Sequence, residues 1–260
     1  MGTKRKPIDI SEVVKEKGAL IKISGAGLGI PGGAAYASAG AEHIVNQIVE
    51  AVVRHDTRIA IVVGGGNIWR GSFSKAFGLE SSTSASDSIG IYATIMNAKL
   101  ISLLLEKELG KEKVSCLLTT SIDNEERYSH EKALRVLDEH KILVLGGGVS
   151  VTGFSTDFAA VNRAASLGLG AVLMAKNGTD GVYNKDPKEE GAKKYKTLSY
   201  REYISRDLKV ADTLAVVQAR EKHIPLYFFD FAAEGIIKDI IIGKYVGGTL
   251  VADVPTKFAE

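Results

Sequence analysis

Cysteine is almost absent from this chain: its 260 residues include only Cys116, so no disulfide bond can form within it. This residue lies in the apolar run "VSCLL", which indicates a core thiol in a reducing compartment. Uninterrupted apolar stretches of about 18 residues, the length that crosses a bilayer, are also lacking. The first ten residues, "MGTKRKPIDI", have no apolar segment typical of a secretory signal. We therefore expect a cytoplasmic protein without a membrane segment.

Net charge is also scarce, because 33 Lys and Arg residues face 31 Asp and Glu residues. The basic cluster "TKRK" is too short to indicate nucleic-acid binding, so we expect a solvated tail and no nucleic-acid partner. A Walker A motif, His–Glu metal spacings and a G-x-S-x-G elbow are missing, which leaves hydrolase chemistry unsupported. A G-x-G-x-x-G match contains Pro31 and lacks the ribose-binding acid, so it is a weak dinucleotide signal.

Short β-branched runs, which predict strands, alternate with longer stretches of helical periodicity. This alternation predicts an α/β fold, a three-layer sandwich whose open, mostly parallel central sheet has helices on both faces. Ser129 is the predicted N-cap of one helix, and Thr156 or Asp157 the predicted N-cap of the next. Residues 1–18 are either a flexible arm or an edge helix, and residues 19–260 are expected to form a single domain.

Three predicted strands end in glycine-rich segments: "KISGAGLG", "VVGGGN" and "VLGGGVS". In parallel sheets, ligands bind beyond the carboxyl ends of the strands. Glycine lets backbone N–H groups approach an anion, and Lys22 and Arg70 stand beside two of these loops to neutralise phosphates. A triple glycine can also be a plain tight connection, but two such loops with adjacent cations favour a polyphosphate site.

Five segments resemble the bacterial uridylate (UMP) kinases of the amino-acid-kinase superfamily. They are "LIKISG", "VVGGGNIWRG", "SASDSIGIYATIMNAKL", "GFSTDFAAVNRAA" and "LMAKNGTDGVYNKDP", in the family's order across residues 20–251, and the last is similar to the version in Gram-positive bacteria and their wall-less relatives. The resemblance implies ATP-dependent phosphorylation of UMP to UDP in pyrimidine nucleotide biosynthesis, by a homohexamer. It also implies Mg²⁺ held mainly through the ATP phosphates. GTP activation and UTP inhibition, common in the family, remain open for this chain.

The resemblance assigns residues to each nucleotide. The ATP-binding set that it implies is Lys22, Ile23, Ser24, Gly25, Gly66, Arg70, Asn177, Tyr183 and Asp186. The UMP-binding set is Gly65, Asp87 on the ribose, and the loop Val149, Ser150, Val151, Thr152, Gly153, Phe154, Ser155 and Thr156. The implied catalytic residues are Lys22, Arg70 and Asp157, with Asp157 orienting phosphate-binding lysines, and no side chain is assigned to a metal.

The match departs from the family in the UMP loop, where Val151 and Thr152 replace the usual Asn and Pro. Many relatives also have a lysine where this chain has Met174, so Lys176 is either a substitute phosphate contact or a solvent-facing lysine. For Asp157 the alternative is a simple N-cap. For Tyr183, adenine stacking competes with a buried hairpin position. Trp69 is expected to pack in the core or an interface rather than stack on a ligand.

Two other functions remain in view beside the leading one. A different phosphotransferase of the superfamily would act on another acid, such as acetylglutamate, carbamate or isopentenyl phosphate. A non-catalytic member of the fold would bind a nucleotide or oxyanion without turning it over. The combination of "GGGNIWRG" with the helix that begins near Asp87 favours the uridylate kinase reading.

Overall fold

The computed structural model describes residues 8–30, 33–53, 57–79, 83–244 and 247–259. The "TKRK" cluster, together with Pro31 and Gly32 of the G-x-G-x-x-G match, lies outside these residues. Nine strands in the described part form one sheet in the order β3-β4-β2-β1-β5-β7-β8-β6-β9. The strands are β1 (Ala19–Ile23), β2 (Ile59–Val63), β3 (Val114–Leu118), β4 (Ile142–Gly146), β5 (Ala171–Lys176), β6 (Tyr195–Ser199), β7 (Leu226–Asp230), β8 (Thr249–Ala252) and β9 (Lys257–Phe258).

The centre of the sheet is parallel and fully covered. Strand β1 pairs in parallel with β2 on one side and β5 on the other. Every residue of β1, β2 and β4 is buried, as expected for parallel strands with helices on both faces. Antiparallel pairing occurs where β7 meets β8 and where β6 meets β9. The predicted open, mostly parallel sheet is therefore confirmed.

The helices cover the sheet in two layers. Helix α2 packs on α4 and α9, whereas α6 packs on α8, and α8 on α7. Together they complete the predicted three-layer sandwich. The helices are α1 (Ile10–Lys17), α2 (Ser38–Val53), α3 (Gly71–Ala76), α4 (Thr83–Leu109), α5 (His130–Asp138), α6 (Thr156–Ser166), α7 (Tyr200–Ser205), α8 (Thr213–Lys222) and α9 (Ile236–Ile241).

The first described helix, α1, precedes the sheet. Asp9 caps it by accepting a hydrogen bond from the backbone N–H of Ser11, and the helix contacts α9 and β5. Residues 1–7 lie outside the described part. The division into an arm at 1–18 and one domain at 19–260 stays a prediction.

The capping predictions had different outcomes. Ser129 caps α5 by accepting a hydrogen bond from the N–H of Lys132. The expected cap of α6 at Thr156 or Asp157 is wrong, because the Ser155 side chain accepts from the N–H of Phe158 instead. Asp157 therefore lies in the first turn of α6, and its carboxylate is available for other partners.

Helix α4 contains a segment, Ser84–Leu109, that is long and apolar enough to cross a membrane by length and composition alone. The segment is not an uninterrupted apolar run, because it contains Asp87 and Lys99. The helix packs against β3, β4 and α2. A core helix meets the same criteria, so α4 gives no argument for a membrane protein.

The lone cysteine lies in β3 beside α4. Burial raises the pKa of the Cys116 thiol to about 12, despite the opposing charge of Lys99 nearby. A raised pKa keeps the thiol protonated at neutral pH and lowers its reactivity. Cys116 is only partly buried and packs against the edge of the core, so the predicted core position is only partly met.

Candidate active site

Two cavities open where the central strands end. The first has a volume of about 410 Å³ and lies between the loop after β2, the start of α4 and the loop after β4. The second, about 650 Å³, lies beyond β5, between the segment from Lys176 to Pro187 and the loop from Arg206 to Val210. The carboxyl ends of β1, β2, β4 and β5 thus supply the walls, as expected for a parallel sheet.

Most predicted residues line one of these cavities. The first cavity is lined by Gly65, Gly66, Arg70, Asp87, Val149, Val151, Thr152, Phe154, Ser155 and Thr156 of the predicted set. The second is lined by Ser24, Asn177, Tyr183 and Asp186. Gly66 and Arg70, predicted for ATP, therefore lie with residues predicted for UMP.

Three charged side chains form a buried cluster at the sheet's carboxyl edge. The Nζ atom of Lys22, on β1, lies 2.7 Å from Oδ1 of Asp157, and Nζ of Lys176, at the end of β5, lies 3.2 Å from its Oδ2. The three side chains are only 9%, 12% and 14% exposed, in the order Lys22, Asp157, Lys176. Asp157 follows Thr156 of the first cavity, and Lys176 lines the second. The cluster therefore joins the two cavities.

The charges in this cluster shift one another's pKa values. Burial would raise the pKa of Asp157, but the ammonium groups of Lys22 and Lys176 outweigh it and hold that pKa well below its ordinary value. Burial lowers the pKa of Lys176 to about 8, and repulsion from Lys22 adds to this effect while Asp157 opposes it. The cluster carries two positive charges and one negative at neutral pH, an excess that attracts anions.

Lys176 is thus no plain solvent-facing lysine, which was one of its two interpretations. It lines the second cavity and bonds to the same carboxylate as Lys22. In the register of the sheet, Met174 pairs with Lys22 across β1 and β5 and is fully buried. The charge missing at Met174 is therefore present two residues later, where the strand ends at the cavity.

Asp87 bridges two walls of the first cavity. It lies in the first turns of α4, and its Oδ2 accepts a hydrogen bond of 2.7 Å from the backbone N–H of Gly153. Beside it, the hydroxyls of Ser84 and Thr152 are 3.3 Å apart. Phe154 stacks on Phe158 with ring centroids 4.4 Å apart. The unusual loop after β4 is therefore held against α4 at the mouth of the cavity.

The triple glycine after β2 has two kinds of role. A Cβ on Gly65 would lie 2.8 Å from the Ala93 Cβ, so this glycine is needed for packing against α4. A Cβ on Gly25 would lie 2.1 Å from the Gly64 carbonyl oxygen, so the loops after β1 and β2 touch through bare backbone. A Cβ on Gly66 would meet only the Arg70 Nε, at 3.8 Å, and Gly66 lines the first cavity. The expected approach to an anion thus fits Gly66, whereas the neighbouring glycines are required by the fold.

The residues after the glycines order the wall of the first cavity. Arg70 is exposed, and its Nε donates to the Gly66 carbonyl oxygen. The indole N–H of Trp69 donates to Ser86 at 3.0 Å, and its ring stacks on Phe77 at 6.1 Å. Trp69 therefore packs between the end of α3 and the start of α4, and it also lines the first cavity; its packing role rather than ligand stacking stays a prediction.

The second cavity has one wall that the sequence did not reveal. The segment from Arg206 to Val210, between α7 and α8, faces Asn177 and Tyr183. The Tyr183 hydroxyl donates to Asp180 at 2.9 Å, and its backbone pairs with Lys194 in an antiparallel bridge. No glycine, metal spacing or charge pattern in the stretch "SRDLKV" pointed to a site. Only the return of the chain along β6 brings this segment to the cavity.

Some predicted residues line neither cavity. Ile23 at the end of β1 and Gly25 in the loop that follows are buried, whereas Ser150 is exposed with φ of 63°. Gly153 contacts the site through its hydrogen bond to Asp87. Among the described residues, no group of three or more His, Cys, Asp or Glu side chains could hold a metal ion.

Comparison with known proteins gives matches along most of the chain. The sequence model of the Amino acid kinase family matches residues 17–230. The uridylate kinase of Streptomyces avermitilis is 37% identical over 235 residues, covering 90% of this chain and 91% of that protein. That of Limosilactobacillus reuteri is 37% identical over 246 residues, covering 92% and 99%. The structure of UMP kinase from Bacillus anthracis matches with a TM-score of 0.87 and 32% identity, covering 93% and 98%.

Proposed function

This chain belongs to the amino acid kinase family and, within it, to the uridylate kinases, and from that premise we propose that it transfers the γ-phosphoryl group of ATP to UMP, forming UDP for pyrimidine nucleotide biosynthesis. The observation that carries this proposal is the pair of cavities joined by Lys22, Asp157 and Lys176. We assign UMP to the first cavity and the adenosine of ATP to the second. The phosphates of both nucleotides then meet at the buried cluster.

The proposed chemistry needs no protein nucleophile. A phosphate oxygen of UMP is ionised at neutral pH and attacks the γ-phosphorus of ATP, whose bond to the bridging oxygen breaks as ADP leaves. The barrier lies in bringing two anions together in line, so positioning and charge neutralisation dominate. Lys22 and Lys176 stabilise the transferring group from one side, and Arg70 from the first cavity. Asp157 holds the two lysines together without touching the phosphates.

Mg²⁺ fits this site as a partner of the ATP phosphates. Asp157, the buried carboxylate at the cavity junction, already has two lysine partners, and the described residues hold no acidic cluster. Mg²⁺ keeps several waters and is commonly bound through substrate phosphates. Such an ion would neutralise charge on the β- and γ-phosphates.

We further propose a cytoplasmic homohexamer. An exposed apolar stripe on α4 supports self-association: Ile89, Tyr92 and Met96 are 38%, 56% and 54% exposed, and Phe77, just after α3, is 71% exposed. Patches of this kind mark protein interfaces. The expected six subunits per assembly come from the family resemblance, and light scattering would measure the mass of the assembly. Activation by GTP and inhibition by UTP are tested in the assay below.

A panel of acceptors tests the function. With ATP and Mg²⁺, we expect UMP to be phosphorylated at least 100-fold more efficiently, in kcat/KM, than CMP or acetylglutamate. Adding GTP or UTP to the same coupled assay tests regulation. A better turnover of acetylglutamate would favour another phosphotransferase of the family. Binding of UMP and ATP without UDP formation would favour a non-catalytic protein, the alternative that the unusual loop after β4 leaves open.

The lowered pKa of Lys176 gives a pH prediction. Its ammonium loses its proton as the pH rises through about 8, so kcat/KM for ATP, which reports the free enzyme, should fall above that pH. Lys176→Arg keeps the charge at all these pH values, so its alkaline decline should move up by at least one pH unit. Lys176→Met should be weak throughout, with no decline near pH 8. The same decline in all three proteins would contradict a role for Lys176.

A further inference from the structure

A fully buried amide lies in the middle of α4 and lines neither cavity. Asn97 is 0% exposed in an otherwise apolar part of the helix. Its Nδ2 donates to the Gly64 carbonyl oxygen and to Oδ1 of Asn67, both at 2.7 Å. Its Oδ1 accepts from the Tyr36 hydroxyl at 2.8 Å. A buried amide with these partners is sensitive to change, because the loss of any one partner leaves a buried polar group without a hydrogen bond and lowers stability.

Asn67 extends this network to another segment. Its Nδ2 donates to the Ala35 carbonyl oxygen at 2.9 Å and to Oδ1 of Asn97 at 3.2 Å. A Cβ on Gly25 would lie 2.1 Å from the Gly64 carbonyl oxygen and 2.8 Å from Oδ1 of Asn67. The two acceptors that Asn97 holds are therefore the surface on which the loop after β1 rests.

The network thus joins parts assigned to different nucleotides. The loop after β1 belongs to the proposed ATP side, with Lys22 and Ser24. Helix α4 carries Asp87 on the proposed UMP side, ten residues before Asn97, or about 15 Å along the axis. The loop after β2, which lies between them, contributes to the first cavity. Asn97 is the buried point where all three meet.

We propose that Asn97 and Asn67 are positioning residues that set the distance between the two bound nucleotides. Neither touches a substrate in this proposal, which rests on the proposed kinase function. Because neither amide lines a cavity, we expect each nucleotide to keep its own contacts when the amide pair is lost. In-line transfer, however, depends on the relative placement of the two sites, and a displacement of about 1 Å can lower turnover about 100-fold.

The test compares two variants. Asn97→Asp keeps the side-chain shape but removes the two N–H donors, whereas Asn67→Ala removes a partner of Asn97 without changing a residue of α4. We expect kcat to fall at least 30-fold in both. The dissociation constants of UMP alone and of a non-hydrolysable ATP analogue alone should stay within threefold of wild type. Ser102→Ala is the matched control, because Ser102 is also fully buried on α4 and its partners, Glu106 on the same helix and Cys116 on β3, line neither cavity. It should keep its kcat.

The remaining variants keep the positioning role testable if one protein fails to fold. If Asn97→Asp does not fold, Asn67→Ala and Tyr36→Phe decide, since each removes partners of Asn97 from outside the helix. Full kcat in these variants, or a loss matched by weaker binding of each nucleotide alone, would overturn the positioning role. Failure of the proposed function looks different, because the wild-type protein would then form no UDP in the same assay.

Discussion

Lys22→Ala should lower kcat by about 100- to 1,000-fold, the range typical for loss of one preorganised charge at a transition state. The Lys22 ammonium lies 2.7 Å from Asp157 at the junction of the two cavities, where the transferring group would pass. Stopped-flow or coupled measurement of UDP formation at saturating nucleotides checks this. KM for UMP should change little, because Lys22 lies outside the lining of the first cavity.

Asp87→Ala is the contrasting variant. Its carboxylate lines the first cavity and lies at the loop after β4, so its loss should raise KM for UMP while leaving ATP binding unchanged. Together the two variants separate turnover from acceptor binding. Normal kinetics in both would refute the assignment of these residues.

Asp157→Asn should have the second largest effect, on both turnover and stability. The change leaves two buried ammonium groups, on Lys22 and Lys176, facing each other without the carboxylate. Breaking a buried ion pair in this way typically destabilises a protein by about 3–5 kcal/mol. We also expect kcat to fall by about 100-fold, because the lysines lose the group that holds them. Denaturant unfolding and the coupled assay measure the two effects.

A second substitution distinguishes charge balance from catalysis. Adding Lys176→Met to Asp157→Asn removes one of the repelling charges, so stability should recover while turnover stays low. If turnover recovers as well, Asp157 is not needed to orient Lys22. Since the folded pKa of Asp157 lies below its ordinary value, its stabilisation is present at neutral pH and is lost as the pH falls below about 4. The Asp157→Asn protein should lack this acid-dependent loss.

The sequence predicted the fold class and most central elements because hydrophobic periodicity is a local property. The run "IAIVV" is short, apolar and rich in β-branched residues, which predicts a buried strand, and it forms β2. Strands β6 and β8 were missed, since "YKTLS" and "TLVA" are short and alternate weakly. The cap of α6 was misplaced because Ser155, Thr156 and Asp157 are all good caps, and only the tertiary contact with two lysines sets Asp157 apart.

The candidate site was predictable where loops follow strands and unpredictable where distant segments converge. Glycines after β2 and β4 signalled the first cavity, whereas the contribution of "SRDLKV" to the second depends on the crossing of the chain through β6 and α7. Asn97 gave a faint signal, a polar residue on an apolar helix, but its partners Asn67 and Tyr36 are 30 and 61 residues away in sequence. Contacts of such range are set by topology, which composition and spacing do not encode.

The weakly reactive thiol of Cys116 has a practical consequence. With its pKa near 12, it should react with maleimide dyes at pH 7 much more slowly than an exposed thiol, so one engineered thiol would be the main attachment point under brief labelling. Val151, 56% exposed on the loop after β4 and lining the first cavity, is suited to that role. On the proposed assignment of UMP to the first cavity, a fluorophore there would report UMP binding in real time, without any native cysteine having to be removed.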